Sequence, residues 1–495
     1  MVFLGVDCGT SALKAVLVDG DERVLAASTQ SYAPSHPHPL WSEQNPNDWR
    51  DAMFAAFAAL AREAPAAMGA VAAIGFSGQM HSAVLIDAAD RPVRPAILHN
   101  DTRAFAEARA LAEQYPELAH EVGVKPMAGF TAPKLMWLRR HEPEAFARIR
   151  CVLLPKDYLR LCLTGEKRTD MSDAAGTCWL DEARRKWSPA ALDASGVDGS
   201  WAPALAEGSE AVGALRSEVA ARFGMPRAIV AAGGGDAAVG AVGIGAVRPG
   251  AAFVSLGTAA QLITASRAYL PAPERLVHSF AHALPERWYR MAAMLNGAGV
   301  LAFAARLVGS TPAELEREAA QDYRGPGEVL CLPYLSGERT PHDDPHARGV
   351  FFGLGEATSR VDVARAGMES VAYTFADARD CVEAGAEPLG EVGLIGGGAK
   401  SALWTRMIAA ALERTIIRYR GGETGPAFGA ARLARLAKTK EAAEDLCKPP
   451  PVADATAPDP ALVDAFRGRI ERFRGLYRAL APEFRMNSLA TEKTA

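Results

Sequence analysis

Four short segments combine residue types that can handle a phosphate and a proton. In Asp7-Cys8-Gly9-Thr10-Ser11 an apolar run, Val2–Val6, stops at a tight glycine turn. Such a turn exposes backbone N–H groups, and the Thr10 and Ser11 hydroxyls add donors, so Gly9, Thr10 and Ser11 could ring a phosphate. Asp7 stands where a carboxylate could hold a metal ion, through water, against the phosphate oxygens. Taken alone, the segment reads equally well as an ordinary hairpin turn. A second copy of the pattern, Ser255-Leu256-Gly257-Thr258, favours chemistry: two hairpins could clasp a polyphosphate, one bringing a carboxylate and the other only neutral donors. Lys14, on the strand after the first turn, is either an extra phosphate charge or a surface lysine.

Gly233-Gly234-Gly235-Asp236 puts a carboxylate on a turn where backbone and ligand approach closely. Asp236 could accept the proton of an attacking hydroxyl, as a general base must. The competing reading is a helix N-cap, for which Asp is well suited. Gly396-Gly397-Gly398-Ala399-Lys400-Ser401 misses the Walker pattern because Ala399 separates glycine from lysine. It reads better as a strand-to-helix turn whose small residues let a base and its ribose lie against the backbone. The remaining clusters carry little weight. His36, His38, His342 and His346 stand among prolines and read as exposed loop residues, and Cys8 reads as a structural thiol.

The elements that must position these residues are mixed α/β. Val2–Val6, Leu13–Asp19 and Arg23–Thr29 follow one another too closely for crossover helices and predict an antiparallel meander. Trp49–Ala61 and Thr102–Tyr115 have helical spacing, with strands at Val71–Phe76 and Ala83–Asp87 between them. The second half restarts the same grammar: strands at Ala251–Ser255, Gln261–Ala265 and Val392–Ile395, then a helix from Ser401 to Glu413. The recurrence suggests a duplication, with the boundary near Arg248-Pro249-Gly250. This predicts one unit over 1–247, a second over 248–485 and an irregular tail over 486–495.

Composition narrows the class. The 495 residues are 49% hydrophobic and 23% charged, which is ordinary globular usage. Lys+Arg 54 against Asp+Glu 58 leaves a net charge of −4. There is no basic field for nucleic acid or an anionic membrane. The seven cysteines lack CxxC pairing, so neither disulfides nor zinc are expected. The N-terminus has no signal-peptide pattern, and Met53–Phe76 is broken by Arg62, Glu63 and Pro65. A soluble cytoplasmic enzyme is expected; whether it forms a homodimer is left open.

The set DCGTSALK (7–14), GQMH (78–81), GGGDAA (233–238), SLGT (255–258) and GGGAKS (396–401) resembles the FGGY family of carbohydrate kinases. Segments 129–138, 155–161, 170–177, 333–341 and 349–369 agree, with Gly367 departing at one position. Within the family the match is nearest to bacterial pentulose kinases that act on D-xylulose. The resemblance implies an actin-like ATPase (ribonuclease H-like) fold of two duplicated domains closing over a cleft. It implies ATP with Mg²⁺, and phosphorylation of a ketopentose to D-xylulose 5-phosphate. Carried over by position, Asp236 is the proton acceptor and Asp7 serves the metal and phosphates. Thr258 faces the γ-phosphate, Gly257 beside it belongs to the nucleotide-binding set, Gly397, Gly398 and Ser401 line the adenosine side, and Met80 and His81 contact the sugar.

Two departures bear on the sugar. Ala237 stands where such kinases usually carry an amide, and His99 where they usually carry Trp. Losing an amide that pairs with a hydroxyl can weaken discrimination greatly. Another ketose or polyol is therefore the nearest alternative. A non-kinase ATPase or a sugar-binding regulator is more distant, because neither needs a base on the sugar side.

Overall fold

The computed structural model describes residues 1–420 and 425–492. The first strand, Val2–Cys8, pairs antiparallel with Ala12–Asp19, which pairs antiparallel with Val24–Ser31, as the close spacing predicted. On its other side Val2–Cys8 pairs parallel with Val71–Gly78, so the sheet is mixed. The helix Pro46–Glu63 makes that crossover, with Asn45 as its side-chain cap and a buried stripe of Trp49, Met53, Ala56, Phe57 and Leu60. The predicted helix over Thr102–Tyr115 is shorter, Phe105–Gln114.

The second sheet repeats the arrangement. Ala252–Leu256 pairs antiparallel with Ala260–Ser266 and parallel with Val392–Ile395. Its full order continues through Trp288–Met294 and Val277–Ala281 on one side and Ile416–Tyr419 and Val452–Thr456 on the other. Both turns after the central strands close alike, Gly9 N–H donating to Ala12 O at 3.1 Å and Gly257 N–H to Ala259 O at 3.0 Å. The buried helix Arg360–Glu383 backs the second sheet.

One helix of the second half, Gly425–Thr439, lies on the sheet of the first. Arg432 on it bonds Glu22 and the carbonyls of Val242 and Gly243, tying the halves together at the back.

The last helix spans Pro460–Glu492. It runs through most of the segment expected to be irregular, of which 493–495 lie outside the described residues. Its Tyr477 also corrects the reading of His342 as an exposed loop residue. The imidazole stacks on Tyr477 at 3.7 Å and its Nε2 meets the Tyr334 hydroxyl at 3.0 Å, because the docked helix covers the loop.

Candidate active site

Asp7 lies at the end of the first strand, with Lys14 opposite on the antiparallel neighbour and Ser77 opposite on the parallel one. Directly paired residues share a face of the sheet, so both polar groups stand beside the carboxylate. Burial pushes the Asp7 carboxyl up to about 6, and Ser77 and the Lys14 charge pull it part of the way back. Its buried Oδ1 has no hydrogen-bond partner among the described residues.

Asp236 is the first residue of the helix Asp236–Gly243. The N-cap is Gly235, so the reading of Asp236 as a plain cap does not hold. Its carboxylate caps nothing beyond a 2.7 Å bond from the adjacent Ala237 N–H. The residue is accessible to solvent yet walled closely by protein, and that desolvation pushes its carboxyl up to about 7. The charge of Asp7 is the second cause, so the fold has brought the two carboxylates into one electrostatic site. A carboxylate near 7 is a far better proton acceptor than one near 4.

Met80 and His81 follow the strand Val71–Gly78. A Cβ on Gly235 would lie 2.7 Å from Met80 Cγ, so Met80 abuts the turn that carries Asp236. Tyr289 of the second half approaches Met80 Sδ with its hydroxyl at 3.9 Å. His81 adopts φ +67°. Its Nδ1 is 2.9 Å from Gly176 O; a carbonyl only accepts, so Nδ1 carries the proton and Nε2 is left as an acceptor. Its carbonyl accepts from Thr131 Oγ1 and from buried Lys134 Nζ.

Around His81 the fold gathers Phe130 and His99, both in segments the sequence singles out, and adds His278, which pattern reading missed. Phe130 packs on the His81 ring at 4.3 Å and on His278 at 5.8 Å, the latter from the second half. Both ring nitrogens of buried His278, and Nδ1 of His99, lack partners among the described residues. Burial holds His99 down to about 4, helped by Lys134 and Arg339, and His278 down to about 3, helped by Arg339. Both are neutral at physiological pH, with hydrogen-bonding capacity to spare. His278 lies in the apolar strand Val277–Ala281, and nothing in that pattern distinguishes it from a core residue.

The first turn is more committed than its sequence suggested. The Gly9 amide is used in closing the turn, so it is not a free phosphate donor. Gly9 O accepts from Tyr32 OH at 2.7 Å and Thr10 O from Gln44 Nε2 at 2.7 Å. Gln44 in turn accepts from Trp49 Nε1 and Gln79 Nε2, an amide network bracing the turn from behind. Thr10 Oγ1 is 3.5 Å from Gln79 Oε1, and Ser11 is exposed. Cys8 is buried with its thiol pushed far up, which leaves it an inert packing group.

The second set forms its own group. Ser255 pairs with Ile395, so the Gly257 turn and the Gly396–Ser401 turn leave neighbouring strands side by side. Gly396 has φ +93°, and a Cβ there would lie 2.6 Å from Leu256 O. A Cβ on Gly398 would strike the Leu256 side chain, whereas one on Gly397 would meet nothing within 4 Å. Thr258 is exposed, and its carbonyl accepts from Gly297 N at 2.9 Å. Ser401 caps the helix Ala402–Leu412, accepting from Trp404 N at 3.1 Å and donating to Glu316 Oε1 at 2.7 Å. Its hydroxyl is therefore already engaged. Among the described residues no hydrogen bond or ion pair joins this group to the Asp7–Asp236 group.

No trio of His, Cys, Asp or Glu side chains suited to a metal occurs among the described residues, and no helix there is long and apolar enough to cross a membrane.

The N-terminal domain model of the FGGY family of carbohydrate kinases matches residues 2–243 and the C-terminal domain model matches 252–437. The chain is 47% identical to a xylulose kinase of Escherichia coli (strain K12), over 97% of this chain and 99% of that protein. It is 45% identical, with the same coverage, to a xylulose kinase of Klebsiella pneumoniae. The crystal structure of a "xyloylose kinase" from Brucella ovis superposes with a TM-score of 0.95 at 45% identity, covering 97% of this chain and 99% of that one. Two like-built halves, a pair of carboxyls raised by burial in the first of them and these matches lead to one conclusion: the chain belongs to the FGGY family of carbohydrate kinases, enzymes of the actin-like ATPase fold that phosphorylate a sugar with ATP.

Proposed function

We propose that the protein transfers the γ-phosphoryl group of ATP to D-xylulose, giving D-xylulose 5-phosphate, with Asp236 as proton acceptor. The observation that carries this reading is the Asp236 carboxyl. It is accessible to solvent, raised to about 7 by desolvation and by Asp7, and carried on a turn that packs against Met80. The sugar identity draws on the xylulose kinases that the chain resembles over nearly its whole length.

Phosphoryl transfer passes through a loose transition state and needs alignment and charge neutralisation more than covalent help. Asp236 takes the hydroxyl proton as the oxygen meets phosphorus. Met80 and His81 hold the sugar, with His81 Nε2 accepting from a hydroxyl. Thr10 and Ser11 from one turn and Thr258 from the other bind phosphate oxygens; the Gly257 amide, like that of Gly9, is spent in closing its turn, so Gly257 shapes the second turn without donating. Gly397 and Gly398 provide the flat bed for the adenosine, and Ser401 shapes it by capping the helix behind. We take residues 1–247 and 248–485 as the two lobes whose closure excludes water.

Magnesium suits the residues present, because Asp7 keeps a buried oxygen with no partner among the described residues and a hard cation takes carboxylate oxygen and water. Asp7 would hold it, through water; bound there, the ion would neutralise charge on the phosphate oxygens. Unpaired cysteines throughout the chain support a cytoplasmic location.

The test is ADP release with Mg-ATP across D-xylulose, D- and L-ribulose, D-xylose, glycerol and no acceptor, for the wild type and Asp236→Asn. Release greatest with D-xylulose and lost in the variant supports both parts. The substitutions at 99 and 237 favour a second reading, another ketose or polyol, and a different preferred acceptor in the same panel would establish it. Sugar-independent hydrolysis untouched by Asp236→Asn would overturn the reading.

A further inference from the structure

Beneath the Gly233–Asp236 turn lies a buried ionic cluster that the reaction as proposed does not use. Lys156 Nζ is 2.5 Å from Asp157 Oδ1, 2.8 Å from Asp170 Oδ1 and 3.2 Å from Asp173 Oδ2, and Arg160 joins Asp157 at 3.1 Å. All five side chains are wholly removed from solvent. Burying ions costs several kcal/mol each, and apolar packing often serves stability as well or better, so stability alone is a poor reason for the cluster.

Its connections suggest another use. Asp170 Oδ2 accepts from Ser172 N at 2.8 Å and from Ser172 Oγ at 2.5 Å, and Ser172 Oγ lies 3.1 Å from Gly235 N. A hydroxyl has one proton. Asp170, paired with Lys156, accepts the hydrogen bond that this proton makes, so a lone pair of Ser172 is turned to the Gly235 N–H. The turn has no side chains to lock it. A Cβ on Gly234 would fall 2.8 Å from Ser172 Oγ, and one on Gly235 would run into Met80. What holds it is backbone: the ladder to Ser77 and Gly78 on one side and Ser172 on the other. Lys156 also backs the sugar-side segment, since a Cβ on Gly78 would lie 3.1 Å from its Cβ.

We infer that Lys156, Asp170 and Ser172 form a positioning relay that fixes the Gly235 amide, and through it the Asp236 carboxylate, against Met80 and His81. The inference rests on the reading of Asp236 as proton acceptor. Asp173 is outside the relay: it meets the cluster at Lys156, at 3.2 Å, no hydrogen bond among the described residues joins its side chain to Ser172 or Gly235, and burial pushes its carboxyl well up.

Steady-state kinetics of Ser172→Ala, Asp170→Asn, Asp173→Asn and Asp236→Asn, with sugar-free ADP release and melting curves alongside, test it. The relay predicts that Ser172→Ala and Asp170→Asn lower sugar-dependent kcat on the order of 10- to 100-fold, the scale of a small misplacement of a reacting group. KM for Mg-ATP and sugar-free ADP release stay within about twofold of wild type, and Asp173→Asn behaves as wild type. A lower melting temperature with unchanged kcat in Ser172→Ala would make the cluster structural only and overturn the relay. If Ser172→Ala does not accumulate as folded protein, the isosteric Asp170→Asn decides on the same criterion. Wild-type kcat in both variants while Asp236→Asn is inactive sinks the relay alone; an active Asp236→Asn sinks the reading beneath it.

Discussion

Gly5 and Gly75 stand directly opposite each other on adjacent parallel strands, and a helix from the other half of the chain rests on both. A Cβ on Gly5 would fall 1.9 Å from Ala427 O and one on Gly75 2.0 Å from Ala430 O. Both are backbone atoms, so no rotamer change relieves the clash. The pair therefore sets how closely Gly425–Thr439 approaches the sheet whose strand ends carry Asp7 and Gly78.

Gly75→Ala is expected to destabilise the protein by about 2–3 kcal/mol, in the upper range for overpacking, because helix or sheet must shift. Urea unfolding of this variant against Ala73→Gly, in the same strand, measures it. Stability equal to wild type would mean that the helix contact is loose.

The pH profile follows from Asp236. Its carboxyl is raised to about 7, first by desolvation and then by the Asp7 charge, and only the deprotonated form can accept a proton. Sugar-dependent kcat should climb with pH through about 7 and level off above it. The stability sign is opposite. The folded state holds this proton more tightly than the unfolded chain, so the group's contribution falls as pH rises from 4 through 7. Asp236→Asn should therefore abolish activity yet raise the melting temperature at pH 8, by roughly 1–3 °C. A flat kcat between pH 5.5 and 8 would contradict the assignment.

Asp7→Asn removes a metal-facing oxygen and a charge together. Turnover should fall on the order of 100-fold or more, as when a key transition-state electrostatic contact is lost. Raising Mg²⁺ should recover part of it. Since the Asp7 charge helps to hold Asp236 up, the acid limb of the residual activity should move to lower pH. An unmoved limb would separate the two carboxylates.

His99 is neutral above about pH 5 and its Nδ1 has no partner among the described residues. If it bonds the sugar, His99→Ala should raise the sugar KM about tenfold, the value of one net hydrogen bond, with KM for ATP unchanged. His99→Trp should alter the ranking of ketoses more than the rate on the best one. Identical rankings in wild type and His99→Trp would place residue 99 outside the specificity pocket.

Much of this was legible along the chain because it is local. A glycine turn after an apolar strand declares itself in five residues, and both hairpins, the strand Val392–Ile395 and the helix after Ser401 formed where the pattern predicted them. The candidate base at 236 was also visible, since three glycines before an Asp are a local signal. The N-cap alternative failed because Gly235 took the cap position, and the Gly9 amide was lost as a donor because its own turn consumed it.

Tertiary structure decided everything that depends on distant residues meeting. His278 looks like a strand residue until Phe130 from the other half closes on it, and Lys156, Asp170 and Ser172 look like unrelated polar positions until they meet beneath Gly235. The mixed first sheet and the helix laid across it from the second half are long-range pairings, which periodicity cannot report. The same holds for the carboxyls. A sequence assigns every Asp the same ordinary acidity, whereas desolvation and a neighbouring charge, which separate Asp236 from an exposed Asp, exist only once the chain has folded around them.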